Sequence, residues 1–185
     1  MTSKRLAVVA FAGMLALVAA RVTAPSAHSA PLSRALACGV ERWAVKTLQD
    51  RPRLLPARRT TVAHLVSLSR PAHVPKTRLP FERHIFTVTA AVTLDRLELD
   101  QDLHLVLFQV GRDAHMIAEA PSAPICTRNA TALRKRQMRG ARRAVRICGR
   151  ARVTGVAFWD FFHHQTGVAP NAIELHPILG FACLK

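Results

Sequence analysis

The chain has 185 residues and a formal net charge of +16. This length is enough for one domain after an export segment, and the charge favours anionic partners, although an arginine-rich composition can also reflect a high-GC genome. The sequence contains neither a Cys-x-x-Cys pair nor a tyrosine. The first absence excludes the common zinc-finger and redox motifs, and the second counts against a base-stacking platform for single-stranded nucleic acid.

The N-terminus has the pattern of an export signal. Lys4 and Arg5 precede an apolar run over residues 6–20, which is too short for a comfortable transmembrane helix. We expect residues 1–30 to be a signal peptide and short spacer, with an uncleaved anchor as the alternative. The mature chain is then a secreted or periplasmic monomer without a stable transmembrane span, with residues 31–80 as an extension packed on a domain of residues 81–185.

Four cysteines fit export, because an even number in an exported chain predicts disulfides. Three pairings are open, and we favour Cys148–Cys183. The midpoint of this pair in the sequence is also the midpoint between Phe158 and Ile173, the inner ends of two apolar runs, so a hairpin folded there would bring both pairs into register. Cys38–Cys126 follows by elimination.

The extension before residue 81 shows few regular elements. Residues 41–47 are expected to form a short element anchored by Trp43, and residues 51–59 an exposed loop rich in proline and arginine. The apolar spacing of residues 61–68 predicts a helix capped by Thr60 or Thr61. Three prolines then make residues 71–80 resemble a linker.

From His84 onward the pattern predicts five strands and one helix. Alternating apolar and polar residues over 84–95 indicate a half-buried strand, followed by strands at 103–107 and 115–119. A helix over 130–147, capped by Asn129, precedes strands at 153–159 and 173–181. This is the element order of an OB-fold, a five-stranded Greek-key barrel, so we predict a mainly β (α+β) fold. The alternative is another small α+β fold with a curved antiparallel sheet.

The turn between the first two strands carries a candidate metal site. Asp100, Asp102 and His104 alternate and would share one side of an extended chain. Two carboxylates and an imidazole favour a divalent metal ion, the one cofactor these residues suggest. Glu119, at the end of the third strand, can approach this turn in an OB-fold. The alternative is an acidic turn with a solvated histidine.

The closing stretch carries the candidate catalytic residues. Glu174 and His176 share the polar face of the last strand, and the long loop before it contains Asp160 and His163. His163 could act as a general base or a ligand, and Glu174 could orient it or bind metal. The alternative is a hydrogen-bonded network that only holds the loop, which Asn171 also shapes.

The predicted helix is strongly basic. Arginines three or four residues apart repel one another, and a polyanion such as nucleic acid or an envelope glycan would relieve that repulsion. The candidate anion-binding residues are Arg139, Arg142, Arg143 and Arg146. A solvated helix face is the alternative.

Several segments resemble a group of small exported bacterial proteins of unknown function. They are residues 38–47, 100–107, 116–121 and 153–177, and together they span nearly the whole mature chain. A weaker similarity, carried by Asp100-Gln101-Asp102 and Glu119-Ala120-Pro121, is to the staphylococcal-nuclease-like branch of OB-folds. That second resemblance implies carboxylates that hold calcium for phosphodiester hydrolysis.

Two functional hypotheses follow. The first is a non-catalytic module that binds an anionic partner. It is slightly favoured because small exported barrels bind ligands more often than they catalyse reactions. The second is a metal-dependent phosphodiesterase or nuclease-like hydrolase that uses the candidate metal and catalytic residues above. The second requires Asp102 and Glu174 to converge on one cleft.

Overall fold

The computed structural model describes residues 38–39, 41–122, 124 and 126–185, so the predicted signal peptide lies outside the described residues. Short elements come first: α1 (Trp43–Lys46), β1 (Ala57–Arg59), α2 (Val62–Val66) and a 3₁₀ turn (Pro80–Arg83). They are followed by β2 (Ile85–Leu97), β3 (Leu103–Phe108), β4 (His115–Ala120), α3 (Ala132–Ala144), β5 (Cys148–Trp159) and β6 (Ile173–Cys183). Among these described residues, no helix has the length and apolar character needed to cross a membrane.

Five strands close into a barrel in the order β2-β3-β4-β6-β5, with β5 pairing back to β2. The β4–β6 pair is parallel and the other barrel pairs are antiparallel. One long strand makes closure possible, because β2 pairs with β5 along its first part and with β3 along its second. Register irregularities around Val92 lie where β2 changes neighbours, as expected for bulges that bend a strand. The predicted mainly β barrel, with one helix between its third and fourth strands, is confirmed.

The barrel interior is filled by the apolar face of each strand. In β2 the buried positions alternate as predicted, with Phe86, Val88, Ala90 and Val92 all less than a tenth exposed. Burying one large aliphatic or aromatic side chain stabilises the fold by about 1.5–3 kcal/mol, so this core supplies the main stabilising term.

Helix α3 is shorter than predicted at both ends. Its N-cap is Thr131 rather than Asn129, since the Thr131 hydroxyl accepts from the Arg134 N–H at 3.4 Å. It ends at Ala144 because Val145 is extended and β5 begins at Cys148. Met138 and Ala141 form its buried face.

The extension before residue 81 contains two elements that sequence patterns missed. The predicted exposed loop includes β1, which is exposed as expected but pairs in parallel with Ile85–Thr87 of β2. The predicted linker ends in the 3₁₀ turn and is tied down by Arg78, which donates to the Val45 and Glu82 carbonyls and to the Asp50 carboxylate. Arg78 therefore joins the residues around Val45 and Asp50 to the 3₁₀ turn.

Both favoured disulfides are present, with Cα–Cα distances of 5.2 Å for Cys38–Cys126 and 6.2 Å for Cys148–Cys183. The closing hairpin is also present, but Trp159 rather than Phe158 pairs with Ile173. Two irregularities on either side of Gly155 shift the register along the hairpin. The predicted cysteine pairing is therefore confirmed, although the two strands pair one residue away from the predicted register at the end of the hairpin.

Candidate metal centre

The candidate site lies on the outer face of three neighbouring strands. Leu105, Ala118 and Leu175 of β3, β4 and β6 belong to the barrel core. Their sequence neighbours therefore project from the opposite face, because side chains alternate along a strand. These neighbours are His104, Glu119, Glu174 and His176. All four side chains are nevertheless buried, and the Thr166 carbonyl of the β5–β6 loop contacts His104 on that face.

Strand register brings Glu119 between two histidines. His104 of β3 lies directly opposite Glu119 in the antiparallel β3–β4 pair. The parallel β4–β6 register joins Ala118 to Leu175, and its continuation places Glu119 beside His176. Glu119 Oε1 is 3.1 Å from His104 Nδ1, and Glu119 Oε2 is 2.8 Å from His176 Nδ1. Residues 57 positions apart in the chain are thus side by side.

His176 is the centre of the cluster. Its Nε2 lies 3.1 Å from Asp102 Oδ2, and its Nδ1 lies 3.8 Å from Glu174 Oε2. Both its ring nitrogens and both Asp102 oxygens are inaccessible to solvent, yet none makes a well-aligned hydrogen bond to the part of the chain that the structure describes. Buried polar atoms without aligned partners are costly, so this group favours an additional ligand.

The ionisation of this group shows how strongly its charges are coupled. Burial raises the pKa of Asp102 to about 6, against the opposing effect of His176. Burial acts in the same direction on Glu119, but His176 and His104 outweigh it and hold the pKa of Glu119 well below its ordinary value. Burial disfavours the His176 cation, but Glu119 and Asp102 prevail and raise the pKa of His176 well above its ordinary value. The Asp102 and Glu119 carboxylates therefore stabilise the protonated, positively charged form of His176.

His104 has a positioning contact at each ring nitrogen. Its Nε2 donates to the Thr166 carbonyl at 2.9 Å, while Nδ1 faces the Glu119 carboxylate. Both partners are acceptors, so the geometry favours a doubly protonated ring. Burial opposes that charge, but the Glu119 hydrogen bond outweighs it and raises the pKa of His104. His104 thus joins the β5–β6 loop to Glu119.

A second cluster adjoins the first through Glu174. His163 Nε2 lies 3.0 Å from Asp160 Oδ2 and 3.7 Å from Glu174 Oε1, and Lys46 Nζ lies 3.0 Å from Asp160 Oδ2. The Asp160 and Glu174 carboxylates raise the pKa of His163 to about 10. Burial would raise the pKa of Asp160, but His163 and Lys46 lower it to about 2. His163 is therefore a cation at neutral pH and suits proton donation better than the role of general base.

Among the described residues, two triads have the geometry to hold a metal ion: Asp102, Glu119 and His176; and Asp160, His163 and Glu174. In each triad, one ligand atom from every residue lies within 4.8 Å of those from the other two. Both triads contain buried oxygens and nitrogens without aligned hydrogen bonds, but the second already has the Lys46 ammonium beside it. Carboxylate and imidazole donors suit divalent ions such as Mn²⁺ or Zn²⁺. The first triad is therefore the better fit for a metal ion.

Asp100 lies apart from the triad. Its Oδ1 accepts from the Asp102 N–H at 3.1 Å, and Gln101 between them has a left-handed backbone with φ 69°. This turn interrupts the extended backbone that the predicted alternation assumed, so Asp100 and Asp102 do not point together. Asp100 lines the neighbouring cleft instead, and its role as a metal ligand stays a prediction.

The cleft beside the triad has a volume of about 260 Å³. Glu119 belongs to both the buried triad and the cleft wall, and Lys46 and His163 face the same space. The remaining lining residues are Gly39, Glu41, Trp43, Asp100, Asp160 and Gln165. A molecule in this cleft would therefore meet two cations and one edge of the triad.

Two buried cations that sequence reasoning missed are Arg42, just before α1, and Lys46, at its end. Arg42 forms a two-pronged ion pair with Glu82 at 2.7 and 2.6 Å and donates to the Trp159 carbonyl at 2.8 Å. Burial would lower the pKa of Lys46, but the charges of Glu174 and Asp160 outweigh it and raise that pKa. Lys46 falls within a segment of the stated resemblance, and that was its one signal in the sequence.

The predicted anion-binding arginines separate into two groups. Arg139 and Arg143 are exposed on α3, and Arg146 is exposed just after it. Arg142 instead donates to the carbonyl of Ala120, the residue after Glu119, and so ties the helix to β4. Binding of an anion by these four residues stays a prediction.

Comparison with known proteins gives no family for this chain. No family model matches it, and no curated protein matches it. A solved structure assigned as an aspartyl-tRNA synthetase from Leishmania major Friedlin aligns with 68% of this chain at 14% identity and a TM-score of 0.41. The aligned part is 20% of the synthetase chain. The group of exported bacterial proteins is not among these findings, so the barrel assignment rests on strand pairing.

Proposed function

We propose that this protein is a divalent-cation-dependent hydrolase of phosphoesters. The observation that carries the proposal is the buried triad of Asp102, Glu119 and His176, whose ligand atoms lie within 4.8 Å beside an open cleft. Asp102 Oδ2 and Glu174 Oε2 lie 3.1 and 3.8 Å from the two ring nitrogens of His176, and this convergence on His176 supports the hydrolase hypothesis, while Glu119 is the residue of the group that lines the cleft. This convergence favours the hydrolase over the purely binding module.

The charge balance supports a doubly charged ion. Four buried carboxylates surround the site: Asp102, Glu119, Asp160 and Glu174. Lys46 and protonated His163 supply two positive charges, and without a metal the remaining balance comes from two protons held on His104, His176 or Asp102. A divalent cation can replace that pair of protons, and His176 could then bind it through one nitrogen while its other N–H faces a carboxylate, a common arrangement around metal-bound histidine.

The chemistry available in the cleft fits a phosphoester. A bound divalent ion would polarise a phosphoryl oxygen or activate a water molecule. The Lys46 ammonium would bind and orient the phosphoryl group. His163, protonated at neutral pH, would donate its proton to the departing oxygen. Asp160 holds both cations in place through contacts of 3.0 Å.

We further propose that the protein acts outside the cytosol as a monomer. Two disulfides support this location, because such bonds persist in oxidising compartments. The export pattern in residues 1–30 agrees with it.

Calorimetry of the purified, oxidised chain against Ca²⁺, Mg²⁺, Mn²⁺ and Zn²⁺ tests the proposal. We expect one of these ions to bind at one site and Asp102→Asn to weaken binding at least tenfold. Asp113→Asn, an exposed change of the same chemistry, is the matched control.

Activity is then measured with bis(p-nitrophenyl) phosphate and the tightest-binding ion. Turnover should fall in His163→Gln while metal affinity is kept. If none of the four ions binds, or if Asp102→Asn binds as tightly as Asp113→Asn, the proposed function is wrong. Metal binding without turnover of any phosphoester would reject hydrolysis and leave a cation-binding barrel.

A further inference from the structure

A second concavity lies on the barrel wall, where β1, β2 and β5 are neighbours. It has a volume of about 760 Å³ and shares no lining residue with the cleft at the metal centre. We call it the arginine–threonine groove, after Arg59, Thr60, Thr87, Thr89, Arg150 and Arg152. The remaining lining residues include no acidic or aromatic side chain.

Strand register sets these side chains in rows. Arg59 of β1 pairs with Thr87 of β2, and Arg152 of β5 pairs with Thr89 of β2. Thr87 and Thr89 are two residues apart on one strand, so both project from the outer face. The groove therefore presents guanidinium groups beside threonine hydroxyls on a rigid sheet.

The groove arginines have no counter-charge. Arg59, Arg150 and Arg152 are exposed, and none has an ion pair or side-chain hydrogen bond with the described residues. Arg42 and Arg78, by contrast, are each paired with a carboxylate. Three unpaired cations in one concavity repel one another, and an anionic ligand would relieve that repulsion.

We infer that this groove binds the phosphodiester backbone of a nucleic acid. Guanidinium groups match phosphate oxygens with two parallel hydrogen bonds, and threonine hydroxyls add further donors to phosphate. The groove has no aromatic side chain on which a base could stack, so contact is made to the backbone and is independent of sequence. This binding needs no metal ion and does not depend on the proposed hydrolysis.

Fluorescence anisotropy with a labelled 15-nucleotide thymidine strand, in EDTA and at several salt concentrations, tests the inference. Three phosphate contacts predict a slope of log affinity against log salt of about −2. The variant Arg59→Gln/Arg150→Gln/Arg152→Gln should bind at least tenfold more weakly at low salt and lose most of this slope.

The matched control is Arg53→Gln/Lys76→Gln/Arg128→Gln, which removes the same charge from exposed side chains that line neither the groove nor the metal-centre cleft. We expect it to keep affinity within about threefold, since only the long-range attraction changes. Equal weakening by both variants, or greater weakening by the control variant, would overturn the groove assignment. Absence of wild-type binding, or binding to heparin alone, would also overturn it. Because EDTA is present throughout, the binding result can be interpreted independently of the proposed metal site.

Discussion

Replacing Glu119 by glutamine isolates the contact that links the two histidines of the metal centre. Each carboxylate oxygen of Glu119 faces a different buried imidazole, at 3.1 Å from His104 and 2.8 Å from His176. The substitution keeps the size of the side chain but removes its charge. In EDTA, two buried histidine cations then lose their shared counter-charge. Removing one partner of a buried ion pair costs about 3–5 kcal/mol, and we expect a loss in that range.

The assay is equilibrium unfolding in urea at pH 7 with the disulfides intact, and Glu98→Gln is the matched control. Glu98 pairs with Arg96 at 2.7 Å, but the Arg96 side chain is 49% exposed. Because surface ion pairs contribute about 0–1 kcal/mol, the control should lose no more than that.

Addition of the binding ion gives a second reading of the same variant. A ligand present at a hundred times its Kd stabilises the folded state by about 2.7 kcal/mol. The wild-type protein should show this gain, and Glu119→Gln should not. A loss below about 1 kcal/mol in EDTA, together with an unchanged response to metal, would refute the ionic role assigned to Glu119.

Three further predictions concern the parts of the fold that hold the site. The raised pKa of His163 contributes stability that is fully present below pH 6.5 and is lost as the pH rises through about 10. The urea midpoint of the wild-type protein should therefore fall between these two pH values, and that of His163→Gln should change less. Parallel curves for the two proteins would show that the carboxylates do not hold the His163 ring. Gly167→Ala should destabilise by at least about 1 kcal/mol in thermal unfolding, because φ is +89° and a Cβ would clash with the Val106 side chain; an unchanged melting temperature would contradict the loop geometry. Replacing Cys148 and Cys183 together by serine should cost about 4 kcal/mol by urea titration, and no loss would mean that the hairpin is held without its disulfide.

Periodic features of the chain were predictable because they depend on local pattern. Alternation in β2 follows from the two-residue period of a strand, and it correctly separated Val88 and Val92 from their polar neighbours. The short strand β1 was not predictable in this way. Its residues are all exposed, and only its pairing with residues 85–87 makes it a strand.

The candidate site was predictable in residue type and only partly in arrangement. Asp102 could be singled out because it alternates with His104, and His176 because it alternates with Glu174. Glu119 could be singled out by its place at the end of the third predicted strand. Lys46 could not, because an exposed lysine and a buried one have the same sequence pattern. Its burial depends on Asp160, which lies 114 positions further along the chain.

The order of strands and helix and the residue types of the candidate site could be read from the chain alone, because each follows from local periodicity or from chemistry within one segment. The sequence favoured the two cysteine pairs but left three pairings open, and the packing decided between them. The partners of those residues came from barrel closure. Parallel pairing of β4 with β6 places Glu119 beside His176. The left-handed turn at Gln101 separates the side chains of Asp100 and Asp102. The Thr166 carbonyl of the β5–β6 loop accepts a hydrogen bond from buried His104. Contacts between distant segments depend on strand register and on loop placement, which only the packing of the whole barrel specifies.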